Sequence, residues 1–133
     1  MDNNIVTKRE VCFLIGVSDE VIYADYSESA TALPDACKRW KNIWDNRDSL
    51  VEIAHSHPLG GSNFSREDET TMQALLKALG RDIRFSVVAP NEMRLRAGAA
   101  ESIVAIEPWW ADVMRLASGN LPLNQCTREQ KEG

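Results

Sequence analysis

The chain has 133 residues, 44% of them apolar and 26% charged, which is a globular composition with enough length to bury one core. Its net charge of -5 argues against a general nucleic-acid binder, whose phosphate contacts need a surplus of Lys and Arg. No stretch approaches the roughly 20 apolar residues of a membrane span, and the opening MDNNIVTKRE lacks the apolar centre of a signal peptide.

In chain order, Glu10 to Gly16 (EVCFLIG) is a short apolar run that predicts a buried strand. Val17 to Glu20 predicts a turn and Val21 to Tyr26 (VIYADY) a second strand, together a hairpin. Pro34 is expected to open a helix whose inner stripe is Cys37, Trp40, Ile43 or Trp44, and Arg47. Ser49 to His57 (SLVEIAHSH) reads as a strand ended by Pro58 and the glycines behind it. Ser65 then starts a helix that runs to about Leu79, where Gly80 stops it. Asp82 to Ala89 and Glu92 to Ala97 predict two strands around a Pro90-Asn91 turn, with a further short strand near Ser102 to Ile106. Pro108 opens a last amphipathic helix, closed by Gly119, whose apolar residues Trp109, Trp110 and Met114 are expected to face the core.

Strands interleaved with helices predict a single α/β domain around a mixed sheet, spanning residues 1–119, with a polar, frayed tail over 120–133. Cys12, Cys37 and Cys126 are odd in number, widely spaced and outside any C-x-x-C motif. They read as free thiols in a reducing compartment, so a cytoplasmic location is expected and a thiolate zinc site is not. Arg81, Arg84, Arg94 and Arg96 lie close in sequence and read as a solvated face near a sheet edge rather than a phosphate-binding patch.

Both histidines of the chain, His55 and His57, sit at the end of the third predicted strand. Side chains two apart on a strand share a face, so the imidazoles project together and Ser56 points away. Two imidazoles can serve one divalent metal if a third ligand joins them, and Glu67, Asp68 and Glu69 are near enough in sequence to supply it. The competing reading is a polar strand end followed by a helix N-cap, because Ser65 and Asp68 are also capping residues at the right spacing. Spacing alone leaves both open.

His55-Ser56-His57-Pro58, followed by Ser65 and then Asp68, resembles the His-x-His-x7-Ser-x2-Asp motif of the JAMM (MPN+) metalloproteases at every fixed position. The order of strands and helices extends the resemblance from about residue 8 to 118. It implies the JAB/MPN fold, of cytidine-deaminase-like architecture, and one Zn2+ held by His55, His57 and Asp68 with water in the fourth position. It further implies that the Ser65 hydroxyl stabilises the oxyanion of the attacked carbonyl.

The family glutamate that serves as general acid/base is often found in Glu-x-Cys-Gly-x-Leu-x-Gly, which Glu10-Val11-Cys12-Phe13-Leu14-Ile15-Gly16 resembles. Phe13 replaces the usual Gly there, and the stretch is one residue shorter. Glu20 is the next candidate but falls in the predicted turn, while Glu52 stands at odd offset from the histidines and should face away from them. Only nine residues precede Glu10, and no long second insertion is evident, which makes the chain similar to minimal, prokaryotic-type members.

The resemblance implies hydrolysis of peptide or isopeptide bonds after the C-terminal Gly of a ubiquitin-like protein, as in deubiquitinases, with that protein or its conjugate as partner. A homodimer is compatible with it, and neither a membrane nor nucleic acid is expected. Two alternatives stand beside this reading. RadC-type proteins, associated with DNA repair, carry a related signature that residues 59–68 partly match, but the acidic balance counts against them. A non-catalytic MPN scaffold acting only as a partner domain is the other; such proteins usually lack the ligands, which are all present here.

Overall fold

The computed structural model describes residues 7–124. Its elements are β1 (Val11–Gly16), β2 (Val21–Tyr26), α1 (Cys37–Asp45), β3 (Leu50–Ser56), α2 (Arg66–Leu79), β4 (Arg84–Val88), β5 (Met93–Ala97), β6 (Ala100–Ile103) and α3 (Trp110–Ala117). The six strands form one sheet in the order β2-β1-β3-β4-β5-β6. Every neighbouring pair is antiparallel except β3 and β4, which run parallel and are joined through α2. The expected α/β domain with a mixed sheet is the observed fold.

Alternation along the central strands divides the core in two. Val11, Phe13, Ile15, Ala54 and Val88 face one side, where α3 lays Trp110, Ala111 and Met114 on them. Cys12, Leu14, Ile53 and Phe85 face the other, where Ile43 of α1 and Met72 and Leu75 of α2 cover them. A strand covered on both faces has no polar side to show, which is why β1 reads VCFLIG without alternation.

Several elements begin or end away from their predicted bounds. The first helix starts at Cys37, not Pro34, because Ala36 is still extended at φ −135°. The cause is Arg39: its buried guanidinium donates to the Pro34 carbonyl and to Asp25 of β2, which ties the preceding segment to the sheet. Arg47 falls beyond the helix and stacks on Trp44, which is exposed, so Ile43 and not Trp44 carries the inner stripe. The last strand lies at Ala100–Ile103, not 102–106, because Gly98 adopts φ +63° and reverses the chain in two residues.

On α3, Trp110 and Met114 are buried as expected, whereas Trp109 is exposed and donates its indole N–H to the Asp19 carbonyl. The arginines are engaged within the chain. Arg84 pairs with Glu52, Arg94 with Glu101, Arg96 with Glu69 and Glu101, and Arg81 donates to the carbonyls of Arg47 and Leu50. Of the tail expected from Asn120, residues 125–133, Cys126 among them, lie outside the described residues. Leu123 and Asn124 donate their N–H groups to Asp112. Cys12 and Cys37 are free thiols. No described helix is long and apolar enough to cross a membrane.

Candidate metal centre

The apolar run of β3 is held between β1 and β4, with His55 opposite Cys12 on one side and opposite Val87 on the other. His57 lies one residue past the strand, yet its N–H donates to the Val88 carbonyl at 3.0 Å. The backbone thus stays extended, and both imidazoles project to the α1–α2 side. Ser56 projects to the opposite side, where it is 1% exposed. Beyond it the loop reverses at Gly60, with φ +88°, a conformation a residue with a Cβ rarely adopts. The reversal brings the Gly61 carbonyl to 3.2 Å from His57 Nδ1. A proton on Nδ1 then donates to that carbonyl and leaves the Nε2 lone pair free, the tautomer a metal needs.

The loop delivers the chain to α2, whose first turn is built by a reciprocal cap. Ser65 Oγ accepts the Asp68 N–H at 3.0 Å, and Asp68 Oδ2 accepts the Ser65 N–H at 2.8 Å. The cap fixes the Asp68 rotamer and aims the same Oδ2 at both histidines. It stands 3.2 Å from His55 Nε2 and 3.4 Å from His57 Nε2, and the two Nε2 atoms are 3.2 Å apart. The cap and the ligand set are therefore one arrangement.

These three atoms form a nearly equilateral triangle of 3.2–3.4 Å. A tetrahedral zinc with N and O ligands at about 2.0–2.1 Å requires ligand separations of about 3.3–3.4 Å. The donor set fits the ion in type and spacing, with one tetrahedral position unclaimed by the three side chains. Among the described residues this is the group of His, Cys, Asp and Glu side chains that converges in this way.

Charge organises the site as well. Burial alone pushes the Asp68 carboxyl up, but hydrogen bonds from His55, His57 and the Ser65 N–H hold it well below the usual carboxylate range. Burial lowers His57, and the bonds to Asp68 and Gly61, with the Glu10 charge, raise it beyond that loss. Glu10, 6% exposed, is raised by burial against the opposing pull of the two histidines. Cys12 lines the same cleft beside His55, where burial pushes its thiol up to about 12, and it is not among the side chains that converge on the triangle.

Glu10 immediately precedes β1. The β1–β3 ladder ends at the pair Cys12 and His55, and Glu10, two residues before Cys12, lies near enough to both histidines for their charges to act on its carboxyl. Glu10, His55, His57, Ser65 and Asp68 line one cleft of about 860 Å³ between α1 and α2, whose inner part is apolar, with Trp40, Ile43, Met72 and Phe85. The five residues singled out from the sequence thus converge. Glu52 faces away as expected and bonds Ser86, and Glu20 lies at the hairpin turn, where it accepts the Ser18 N–H. Sequence reasoning missed the Gly61 carbonyl and Arg39, the first because a backbone acceptor leaves no mark in the sequence. The second stands off the predicted inner stripe of Cys37, Trp40 and Ile43, yet in the fold Arg39 is buried and Cys37 is exposed.

Residues 6–101 match a family model described as prokaryotic homologues of the JAB domain. No curated protein matches the chain.

Proposed function

The chain belongs to the family of prokaryotic JAB-domain homologues, and on that premise we propose that it is a zinc-dependent peptidase cutting after the C-terminal glycine of a ubiquitin-like protein. The observation that carries this reading is the 3.2–3.4 Å triangle of His55, His57 and Asp68 in a cleft shared with a buried glutamate. When bound, zinc supplies Lewis-acid polarisation and lowers the pKa of water toward neutrality.

The chain's own residues supply the rest. His55 and His57 offer neutral Nε2 lone pairs, the second oriented by Gly61, and Asp68 offers the charge that balances a divalent ion. Glu10 accepts a proton at its carboxylate and returns it to the departing amine. Its burial, which raises its pKa, brings it nearer the operating pH that such a shuttle requires. Ser65 uses a lone pair of its hydroxyl for the cap, so the hydroxyl proton is left to donate to the oxygen of the attacked carbonyl. Arg81, Arg84, Arg94 and Arg96 are spent on internal carboxylates and carbonyls, which favours an extended protein tail over a phosphate backbone as substrate.

The test is elemental analysis of the wild type and His57→Ala, beside cleavage of a ubiquitin-like C-terminal fusion. About one zinc per chain, absent from the variant, with cleavage abolished by a chelator, is the expected result. A wild type that takes up no zinc when supplied with it would return the motif to a helix cap and a polar strand end. Zinc without cleavage of any such fusion would remove the substrate class and leave the metal site.

A further inference from the structure

The end of α3 lies outside the stretch matched to the family model, yet it grips both segments that meet at the candidate centre. Ser118, wholly buried, donates its hydroxyl to Ser56 Oγ at 2.6 Å, and Ser56 Oγ also accepts the Val11 N–H at 2.9 Å. Both lone pairs of Ser56 are thereby filled, and the residue between the two histidines is fastened to the residue after Glu10. The Ser118 carbonyl accepts the Arg9 N–H at 3.2 Å, and the Ala117 carbonyl accepts Arg9 Nε at 2.9 Å. Lys8 Nζ donates to the Gly119 carbonyl at 2.7 Å and to Asn120 Oδ1 at 2.5 Å, and Asn120 Nδ2 donates to the Pro58 carbonyl at 3.3 Å.

Residues 117–120 therefore hold Lys8 and Arg9, which precede Glu10, and, through Ser56, Val11, which follows it, and they hold Ser56 and Pro58 on the two sides of His57. The bonds among Ser118, Ser56 and Val11 lie on the α3 face of the sheet, opposite the cleft. Glu10 precedes β1, beyond the last pair of the β1–β3 ladder; its own backbone is bonded to Ser27 and Ser29, and the contacts from 117–120 tie its neighbours to the histidine segment.

We infer that the end of α3 is a positioning clamp, centred on Ser118, that fixes Glu10 against the His55–His57 pair. The inference rests on the roles proposed above for Glu10 and the histidines. Ser118 touches neither substrate nor metal and acts through Ser56 and the β1 backbone. A displacement of Glu10 well under the length of a bond to its proton partner is enough to slow turnover, since orientation carries a large share of the barrier.

The experiment compares the full chain with Ser118→Ala, Ser56→Ala, their double variant and Asn120→Ala. It reads zinc content, kcat and KM on the ubiquitin-like fusion, and backbone amide hydrogen exchange. For Ser118→Ala, zinc stays at about one per chain. KM stays within about twofold while kcat falls about tenfold or more. The double variant falls little further than either single one. Exchange quickens at residues 9–11 and 55–57 and not in the β4–β5 hairpin.

Unchanged kcat with only a lower melting temperature would make Ser118 a packing residue and overturn the clamp. Should Ser118→Ala fail to fold, Asn120→Ala, at a partly exposed position, carries the same comparison. If the wild type neither binds zinc nor cleaves, the reading of the centre fails, and the exchange pattern alone decides the clamp. Quickening confined to those two segments supports it, and its absence overturns it.

Discussion

At the scale of the residue, Asp68 Oδ2 faces three partners at once: the Ser65 N–H and the Nε2 atoms of both histidines. Glu10 stands apart from that set, buried in the same cleft without belonging to the triangle. The two carboxylates are pushed in opposite directions, Asp68 down by its donors and Glu10 up by burial, which accords with the proposed roles of ligand and base. Glu10→Gln is accordingly expected to keep its zinc and its fold while turnover drops by about 100-fold or more. Paired measurements of zinc content and kcat check this, and full turnover in the variant would take Glu10 out of the proton path. The triangle was legible because a strand and a helix cap convert fixed offsets into fixed geometry. Glu10 was legible only by resemblance, since nothing in the offset from residue 10 to residue 55 tells that the two strands are neighbours.

At the scale of the element, α2 is the best specified. Ser65 caps it, Asp68 completes the reciprocal cap, acidic residues fill its first turn, and Gly80 at φ +69° ends it. Its predicted bounds were met because each of those signals is local. Those of α1 and β6 were not, because Arg39 bonding across to Asp25 and the Gly98 reversal outweighed local patterns. Ser65→Ala should cost about 1 kcal/mol in stability, a drop of roughly 3–6 °C in melting temperature. It should also slow turnover by about tenfold or more. Ser65→Thr, which keeps the hydroxyl, should recover most of both. Thermal unfolding and kcat on the three proteins test this, and a Ser65→Ala protein that loses stability but no turnover would confine Ser65 to capping.

At the scale of the whole molecule, stability without metal should depend on pH in a direction the site fixes. Asp68 is lowered from its ordinary 3.8, so its contribution is present above that value and is lost as pH falls below it. His57 is raised from 6.5, so its contribution is present below 6.5 and is lost as pH rises through its folded value. Glu10 is raised from 4.5, so its buried charge costs stability as pH climbs past its folded value. His57 and Glu10 both favour pH 5 over pH 8 in the chelated protein, while Asp68 contributes equally at the two. Zinc binds only deprotonated imidazole, so its stabilisation should be larger at pH 8. Melting temperatures at both pH values, with and without chelator, decide it; a chelated protein more stable at pH 8 would contradict the charge arrangement. The sheet order was out of reach of the sequence, because the step from β2 over β1 to β3 is set by packing on both faces of the sheet.

The order in which the chain is made gives the grip of residues 117–120 on both segments a meaning in time. A ribosome exposes Glu10 first, the histidines and Asp68 next, and Ser118 about 50 residues after Asp68. A nascent chain that already holds His55, His57 and Asp68 would still lack the piece proposed to align Glu10, so hydrolytic competence would wait until residues 117–120 had emerged.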